Sequence, residues 1–155
     1  MMNSSFYKKF FFINFALSGI FLIDRISKWL VVNKFSSQEV SIIREFLKVK
    51  FHKNFNIAFG LEINKFLLYI LIVLILFVLF FFLVKSYRRK DIFLIFTLSL
   101  IIIGAMSNVI DRFRWGYVVD FIDIPLFSVF NLADCLVVGG VGMLIVKNLK
   151  SKIKS

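Results

Sequence analysis

Cysteine, histidine and proline each occur once among the 155 residues of this chain. The single cysteine, Cys135, excludes a disulfide framework within the chain. His52 is the single histidine, so there is no Cys/His cluster of the kind that binds zinc, and no HExxH motif occurs. A glycine-rich phosphate-binding loop is also missing. Disulfide-stabilised domains and zinc proteases are therefore excluded, and we expect no metal site.

Acidic residues are scarce as well, because nine Asp and Glu stand against twenty Lys and Arg, for a net charge of +11. A strongly basic balance is typical of nucleic-acid-binding proteins. Here, however, the basic residues lie mostly between long apolar runs, and neither an RNA-binding aromatic motif nor a DNA-reading helix pattern occurs. We therefore expect membrane lipids with anionic headgroups, and no nucleic acid, as the partners of these charges.

Apolar residues, by contrast, are in excess, at 60% of the chain with 22 phenylalanines. Soluble domains carry roughly 45–50% apolar residues, so the excess requires lipid. Helices that cross a hydrocarbon core of ~30 Å need about twenty predominantly apolar residues. Four stretches meet this requirement, and we place the spans at about 10–32, 66–84, 92–110 and 126–146. The first span contains charged residues in its second half, and no small-residue cleavage signal follows it, which favours an uncleaved helix over a signal peptide.

Between the first two spans, residues 47–53 alternate apolar and polar side chains, which predicts a half-buried β-strand. The predicted fold class is therefore an all-α polytopic membrane protein. It has four transmembrane helices and a small β-element in the first extracytoplasmic loop. The length of the chain fits one domain, residues 1–155.

Four spans place both termini on the same side of the membrane. Each side carries ten Lys and Arg residues, but those at the termini and in the 85–90 linker are packed more densely beside the spans. Because dense positive charge beside a span marks the cytoplasmic side, we expect cytoplasmic termini.

Carboxylates within or beside the spans are costly and are functional hypotheses by default. Asp134 lies inside the predicted fourth span, with Asn131 three residues earlier on the same helix face. No basic residue follows Asp134 before Lys147, so a purely structural ion pair is the weaker interpretation there. Asp120 and Asp123 precede this span on the same predicted side.

Other polar residues favour structural roles. Asp24 and Lys28 are four residues apart, the spacing of an ion pair within one helix. Asn108, Asp111 and Arg112 share a face at the end of the third span, where we expect Asp111 to be structural rather than catalytic.

Two carboxylates held close together share one proton near neutral pH, because both cannot ionise cheaply. Such a pair can hydrolyse a peptide bond, since the ionised member accepts a proton from water and the protonated member polarises the carbonyl. A Ser27/Lys28 dyad is excluded because adjacent helix residues point about 100° apart. A proton-coupled transporter or channel subunit, with Asp134 as the relay, remains the non-enzymatic alternative.

Five segments of the chain resemble the signature blocks of lipoprotein signal peptidase, also called signal peptidase II. In order along the chain they are DRISK at 24–28, NFNIAFG at 54–60, SNVIDR at 107–112, GYVVDFI at 116–122 and FNLAD at 130–134. The GxGD pattern of another group of intramembrane aspartic proteases is absent. Two positions depart from the family pattern, since Asn56 and Ser107 stand where the family usually has glycine.

The resemblance implies an aspartic endopeptidase of the bacterial inner membrane, with cytoplasmic termini and an active site near the periplasmic face. It implies prolipoprotein substrates whose cysteine already carries diacylglycerol, cleaved just before that cysteine. No metal or organic cofactor is implied, and we expect a monomer.

Residue roles also follow from the resemblance. The catalytic pair would be Asp120 and Asp134, with Asp123 as the rival of Asp120. The matching residues that line the site and position the substrate are Asn54, Asn108, Arg112 and Asn131. The matching residues with structural or supporting roles are Asp24, Lys28 and Asp111.

Overall fold

The structure, a computed structural model, describes residues 4–36, 39–55 and 64–153. Its elements in chain order are α1 (Ser4–Lys34), β1 (Val40–Ile43), β2 (Leu47–Asn54), α2 (Lys65–Arg89), α3 (Ile92–Trp115), β3 (Val118–Asp123) and α4 (Leu132–Ile153). All four helices are long and apolar enough to cross a membrane. The predicted fold class, four transmembrane helices with a small β-element, is confirmed.

The helices bury little of their apolar surface against one another. On α2, for example, the side chains of Val73 and Phe77 are 66% and 72% exposed. Apolar surface of this extent requires hydrocarbon around it. The exception is α3, which packs against α1, α2 and α4 and is the central helix of the bundle. Residues that need burial, including charged ones, can therefore be accommodated around α3.

A three-stranded antiparallel sheet lies between the helix ends, in the order β1-β2-β3. The predicted strand at 47–53 is confirmed as β2. β3, which comes from the segment between α3 and α4, was not predicted. Its buried Val119 and Phe121 pack against Val31 of α1, which fixes the sheet to the bundle.

α3 ends at Trp115 because Gly116 adopts a left-handed conformation, with φ of 79°. Glycine has no Cβ and takes this conformation at little cost, and its N–H bonds back to the carbonyl of Arg112. The chain therefore turns sharply and enters β3 within two residues.

The fourth helix begins at Leu132, six residues later than the predicted start of the span at 126. Residues 126–131 are apolar enough to read as helix, but Leu126 has a φ of 72° and the backbone of Phe130 pairs with Ile122 of β3. Asp134 therefore lies in the first turn of α4. It is not two turns inside the span, as the sequence suggested.

Helices α3 and α4 approach most closely at two glycines. A Cβ on Gly104 would lie 2.5 Å from the carbonyl oxygen of Ala133, and one on Gly140 would lie 2.5 Å from Ile101. Small residues at helix crossings allow this close packing in membranes. Gly139, by contrast, has open space where a Cβ would be.

We predict that Gly104→Ala destabilises the protein by about 1–3 kcal/mol, because a backbone carbonyl cannot rotate away from the added methyl group. Gly139→Ala is the matched control and should be neutral or slightly stabilising, since alanine favours helix more than glycine does. Unfolding of both variants in detergent micelles measures the difference. Equal stability of the two variants would show that the crossing is not packed as described.

Candidate active site

Asp120 projects from the middle of β3 into a buried space between the sheet and the helix ends, and it is 1% exposed. Its Oδ1 accepts a hydrogen bond from Asn131 Nδ2 at 2.6 Å, and its Oδ2 accepts one from Asn54 Nδ2 at 2.8 Å. Asn54 is the last residue of β2, and His52 is the residue that pairs with Asp120 across the two strands. The β1–β2 hairpin, through Asn54, and the start of α4, through Asn131, therefore both contribute to the surroundings of Asp120.

Asp134 and Asn131 form a reciprocal cap at the start of α4. Asn131 Oδ1 accepts from the backbone N–H of Asp134 at 3.0 Å, and Asp134 Oδ2 accepts from the backbone N–H of Asn131 at 3.1 Å. This is the geometry of a capping box, with aspartate in the place usually taken by glutamate. The cap fixes the Asp134 carboxylate at the helix N-terminus, where the helix dipole favours negative charge.

Asn108 of α3 joins the two carboxylates into one network. Its Nδ2 donates to Asp134 Oδ1 at 2.8 Å, and its Oδ1 accepts from Asn131 Nδ2 at 3.2 Å. Asn131 therefore contacts Asp120, Asp134 and Asn108 at once. The structure brings the predicted residues Asn54, Asn108, Asp120, Asn131 and Asp134 together at one end of the bundle.

A second group, formed by two acidic and two basic side chains, contacts this network through Lys28 and Asn108. Lys28 Nζ lies 2.7 Å from Asp111 Oδ2 and 3.4 Å from Asp24 Oδ2, so the predicted Asp24–Lys28 ion pair is present. Arg25 pairs with the other oxygen of Asp111 at 2.5 Å. We call Asp24, Arg25, Lys28 and Asp111 the charge cluster.

The two carboxylates of the charge cluster also hold the backbone beside the two site aspartates. Asp24 Oδ1 accepts from the N–H of Ala133 at 3.0 Å, and Asp111 Oδ2 accepts from the N–H of Val119 at 3.3 Å. Ala133 immediately precedes Asp134, and Val119 immediately precedes Asp120. The charge cluster therefore positions both segments that carry the site carboxylates.

Arg25 and Ser107 are members of this arrangement that the sequence did not single out as site residues. Arg25 donates to both the carbonyl and the hydroxyl of Ser107, and the Ser107 hydroxyl donates to Asp24. The serine at a position where glycine was expected thus has a defined partner. A charged residue deep in an apolar span was the available signal for Arg25.

Arg112 is half-buried, and its Nη1 lies 3.4 Å from the carbonyl oxygen of Asn108. It also lies close enough to Asp134 and Asp120 to interact with both charges. Asp123 is three residues after Asp120, so the two side chains lie on opposite faces of β3. Asn56 lies outside the described residues.

Burial raises the pKa of the Asp120 carboxyl to about 6, and the charge of Asp134 acts in the same direction. The hydrogen bonds from Asn54 and Asn131 oppose this shift without cancelling it. A carboxyl group with such a pKa can hold or release a proton near neutral pH. Among the described residues, no group of three or more His, Cys, Asp and Glu is arranged to hold a metal ion.

The fold and this site together define a multi-pass membrane protein with one buried and one half-buried carboxylate linked at one end of its helices. A sequence model of the family described as "Signal peptidase (SPase) II" matches residues 16–150. The chain therefore belongs to the signal peptidase II family.

Individual relatives agree with this assignment. A protein named "Lipoprotein signal peptidase" from Halothermothrix orenii is 38% identical over 129 residues, which are 81% of this chain and 87% of that protein. Two solved structures described as a "Bacterial membrane enzyme" are also similar. One, at 26% identity, has a TM-score of 0.78 and covers 90% of this chain and 88% of its own. The other, at 28% identity, has a TM-score of 0.76 and covers 89% and 92%.

The raised pKa of Asp120 predicts a pH-dependent stability. The folded pKa of about 6 exceeds the ordinary value of 3.8, so the folded protein binds this proton more tightly than the unfolded chain does. Stability from this group is therefore lost as the pH rises from about 4 through 6. Asp120→Asn removes the titration, so its stability relative to wild type should increase by on the order of 2 kcal/mol between those limits.

Melting temperatures of wild type and Asp120→Asn in micelles, at about pH 4.5 and about pH 8, measure this effect. The comparison is internally controlled because the pH dependence of all groups that do not interact with Asp120 is common to both proteins. A difference that stays constant across the two pH values would rule out the raised pKa.

Proposed function

We propose that this chain removes signal peptides from bacterial prolipoproteins by aspartic-type hydrolysis, with Asp120 and Asp134 as the catalytic residues. The observation that carries the proposal is that two carboxylates, the buried Asp120 of β3 and the half-buried Asp134 of α4, are joined through the side chain of Asn131. Membership of the signal peptidase II family supports the same reaction. The name of the Halothermothrix orenii relative supports lipoproteins as the substrates.

The reaction needs one proton shared between the two carboxylates. The ionised carboxylate accepts a proton from water, and the water oxygen bonds to the scissile carbonyl carbon. The protonated carboxyl donates its proton to the carbonyl oxygen, which gives a tetrahedral diol. One diol hydroxyl then returns a proton to the carboxylate that lost one, while the other carboxyl protonates the leaving nitrogen and the C–N bond breaks. The products are a carboxylic acid and a free amine, and the pair again holds one proton.

The supporting residues have defined tasks in this scheme. Asn54, Asn108 and Asn131 orient the carboxylates through the hydrogen bonds described above. Arg112 lies beside the pair and contributes positive charge close to the developing oxyanion and the substrate backbone. Asp24 and Asp111 bind the backbone N–H groups next to the two site aspartates, and Lys28 balances the charges of Asp24 and Asp111.

The membrane setting suits a lipid-modified substrate. We propose that the substrate carries diacylglycerol on its cysteine and is cut just before that residue. A signal helix and acyl chains can diffuse laterally along the lipid-facing surfaces of the helices, and the helix ends present the carboxylates near the headgroups. We also propose that the active unit is a monomer.

The ends of the helices opposite the site carry basic residues. Arg88 and Arg89 occupy the last turn of α2, and Lys150 and Lys152 occupy the last turn of α4. Positive charge beside spans marks the cytoplasmic side. We therefore place the termini in the cytoplasm, and the site near the periplasmic face of the bacterial inner membrane.

The arrangement does not favour proton or ion transport. Asp24, Asp111 and Asp134 lie toward the same end of the bundle, and the 19-residue apolar core of α2, residues 66–84, contains no Asp, Glu, Lys, Arg or His. A transport path needs polar groups along the whole crossing. Hydrolysis at one membrane face is the function that the placement supports.

We predict that Asp120→Asn and Asp134→Asn each reduce cleavage of a diacylglyceryl-modified prolipoprotein on the order of 1,000-fold or more, because each removes one partner of the acid–base pair. Asp123→Asn is the matched control, since Asp123 lies on the opposite face of β3, and it should cleave at nearly the wild-type rate. Purified proteins in detergent, with the product identified by mass spectrometry, provide the measurement.

Melting curves show whether each variant is folded. Folded Asp120→Asn and Asp134→Asn proteins that still cleave would refute the assignment of the pair. A wild-type protein that leaves the lipid-modified precursor intact would refute the proposed substrate.

A further inference from the structure

Lys28 is the fully buried cation of α1, with 0% exposure, and it reaches beyond its two ion pairs. Its Nζ also donates to Asn108 Oδ1 at 2.8 Å. An ammonium group can only donate, so the amide oxygen of Asn108 must face Lys28. The amide nitrogen of Asn108 must then face Asp134, where it donates at 2.8 Å. The orientation of Asn108 is therefore determined by Lys28.

The same reasoning determines the second donor to Asp134. The side-chain oxygen of Asn131 accepts the backbone N–H of Asp134, which again can only donate. The backbone N–H of Asn131 meets Asp134 Oδ2 at 3.1 Å. Each oxygen of Asp134 thus faces an N–H group that cannot accept a proton. Two such donors favour the ionised carboxylate over the protonated acid.

Asp120 has a different environment. Its Oδ1 faces Asn131 Nδ2, whose orientation is determined by the cap of α4. Its Oδ2 faces the terminal amide of Asn54, which comes from the hairpin and not from the charge cluster. Among the hydrogen bonds described, none leads from a side chain of the charge cluster through a single amide to Asp120, as the one from Lys28 through Asn108 does to Asp134. Both carboxylates thus accept two N–H donors, and Asp134 is distinguished by the ammonium group of Lys28, which orients one of its donors, Asn108.

We propose that Lys28 is a positioning residue of the reaction, which acts through Asn108 to keep Asp134 ionised as the base and leaves the shared proton on Asp120. This inference rests on the proposed function, and it assigns separate tasks to the two carboxylates. Asp134 takes the proton from water. Asp120 gives its proton to the scissile carbonyl oxygen.

Other charged groups around Asp134 act alongside this path. The titratable and charged groups that surround it, by element, are Asp24, Arg25 and Lys28 of α1, Asp111 and Arg112 of α3, Asp120 of β3 and Cys135 of α4. The negative charges of Asp24 and Asp111 offset the positive charges of Arg25 and Lys28. Arg112 interacts with both carboxylates, and with Asp134 more strongly than with Asp120. The hydrogen bonds from Lys28 through Asn108 are directed at Asp134.

Asn108→Leu tests the inference, because it interrupts the path from Lys28 to Asp134 and leaves the ion pairs of Lys28 with Asp24 and Asp111 in place. The pH profile of kcat/KM for the lipid-modified precursor should be bell-shaped in the wild type. Its acid limb reports protonation of the base, and its alkaline limb reports loss of the proton from the acid. In Asn108→Leu the acid limb should move up by about one pH unit, while the alkaline limb stays in place.

Asn54→Leu is the matched control, because Asn54 contacts Asp120 and has no hydrogen bond to Asp134 among those described. It should move the alkaline limb and leave the acid limb where it is. A purely structural role of Asn108 would lower the rate at every pH without moving either limb, and this outcome would overturn the inference.

A readout that does not need turnover covers the case in which Asn108→Leu is inactive. Carbon-13 labelling of the aspartate carboxyls, with Asp120→Asn and Asp134→Asn used for assignment, follows each titration by NMR. Near pH 5–6 the retained proton should be found on Asp120, and the Asp134 signal should titrate at higher pH in Asn108→Leu than in wild type. A retained proton on Asp134 would overturn the inference even if cleavage confirms the proposed function. Failure of the wild type to cleave the precursor would instead count against the proposed function.

Discussion

The buried charge cluster of Asp24, Arg25, Lys28 and Asp111 is the interaction on which the rest of this structure depends. Three of these charges are buried and Arg25 is partly buried, which is costly among apolar helices unless each charge is paired and hydrogen-bonded. Here two carboxylates meet two cations, and the remaining oxygen capacity is filled by a serine hydroxyl and by backbone N–H groups. Removal of one member would leave an uncompensated charge in the bundle.

The carboxylates of the charge cluster also position the backbone of the site. Asp111 binds the N–H of Val119, and Asp24 binds the N–H of Ala133, so α1 and α3 together hold the beginning of β3 and the beginning of α4. These are the segments that carry Asp120 and Asp134. A neutral, fully paired cluster thus holds the two segments that bring the site carboxylates together. Lys28 links the charge cluster to the site, because it contacts Asp111 in the cluster and Asn108 in the site.

Much of this organisation could be predicted from the sequence. Long apolar runs identified all four helices, and alternation at 47–53 identified β2. The interval between α3 and α4 was harder to interpret. The pattern VVDFI in β3 is buried on both sides, and the apolar residues 126–130 resemble the start of a span. Asn131 followed three residues later by Asp134 is the spacing of a capping box, and this signal would have placed the start of α4 correctly.

The tertiary hydrogen bonds could not be predicted. Nothing in the spacing of Asp24 and Ala133 along the chain shows that the carboxylate of one binds the backbone of the other 109 residues away. Local patterns report helices, strands and caps, whereas the contacts of the charge cluster depend on how the helices cross. The sequence therefore indicated which polar residues matter, but not that Arg25 and Ser107 complete their pairing.

Binding of a transition-state analogue tests the central claim, that Asp120 and Asp134 act as one pair, most directly. In a lipid-modified peptide the scissile amide is replaced by a secondary alcohol, which mimics the tetrahedral diol, and the deoxy peptide serves as its control. We predict that the alcohol binds the wild type about 100-fold more tightly than the deoxy peptide, and that Asp120→Asn and Asp134→Asn each lose most of this advantage. An advantage that persists undiminished in both folded variants would contradict the account.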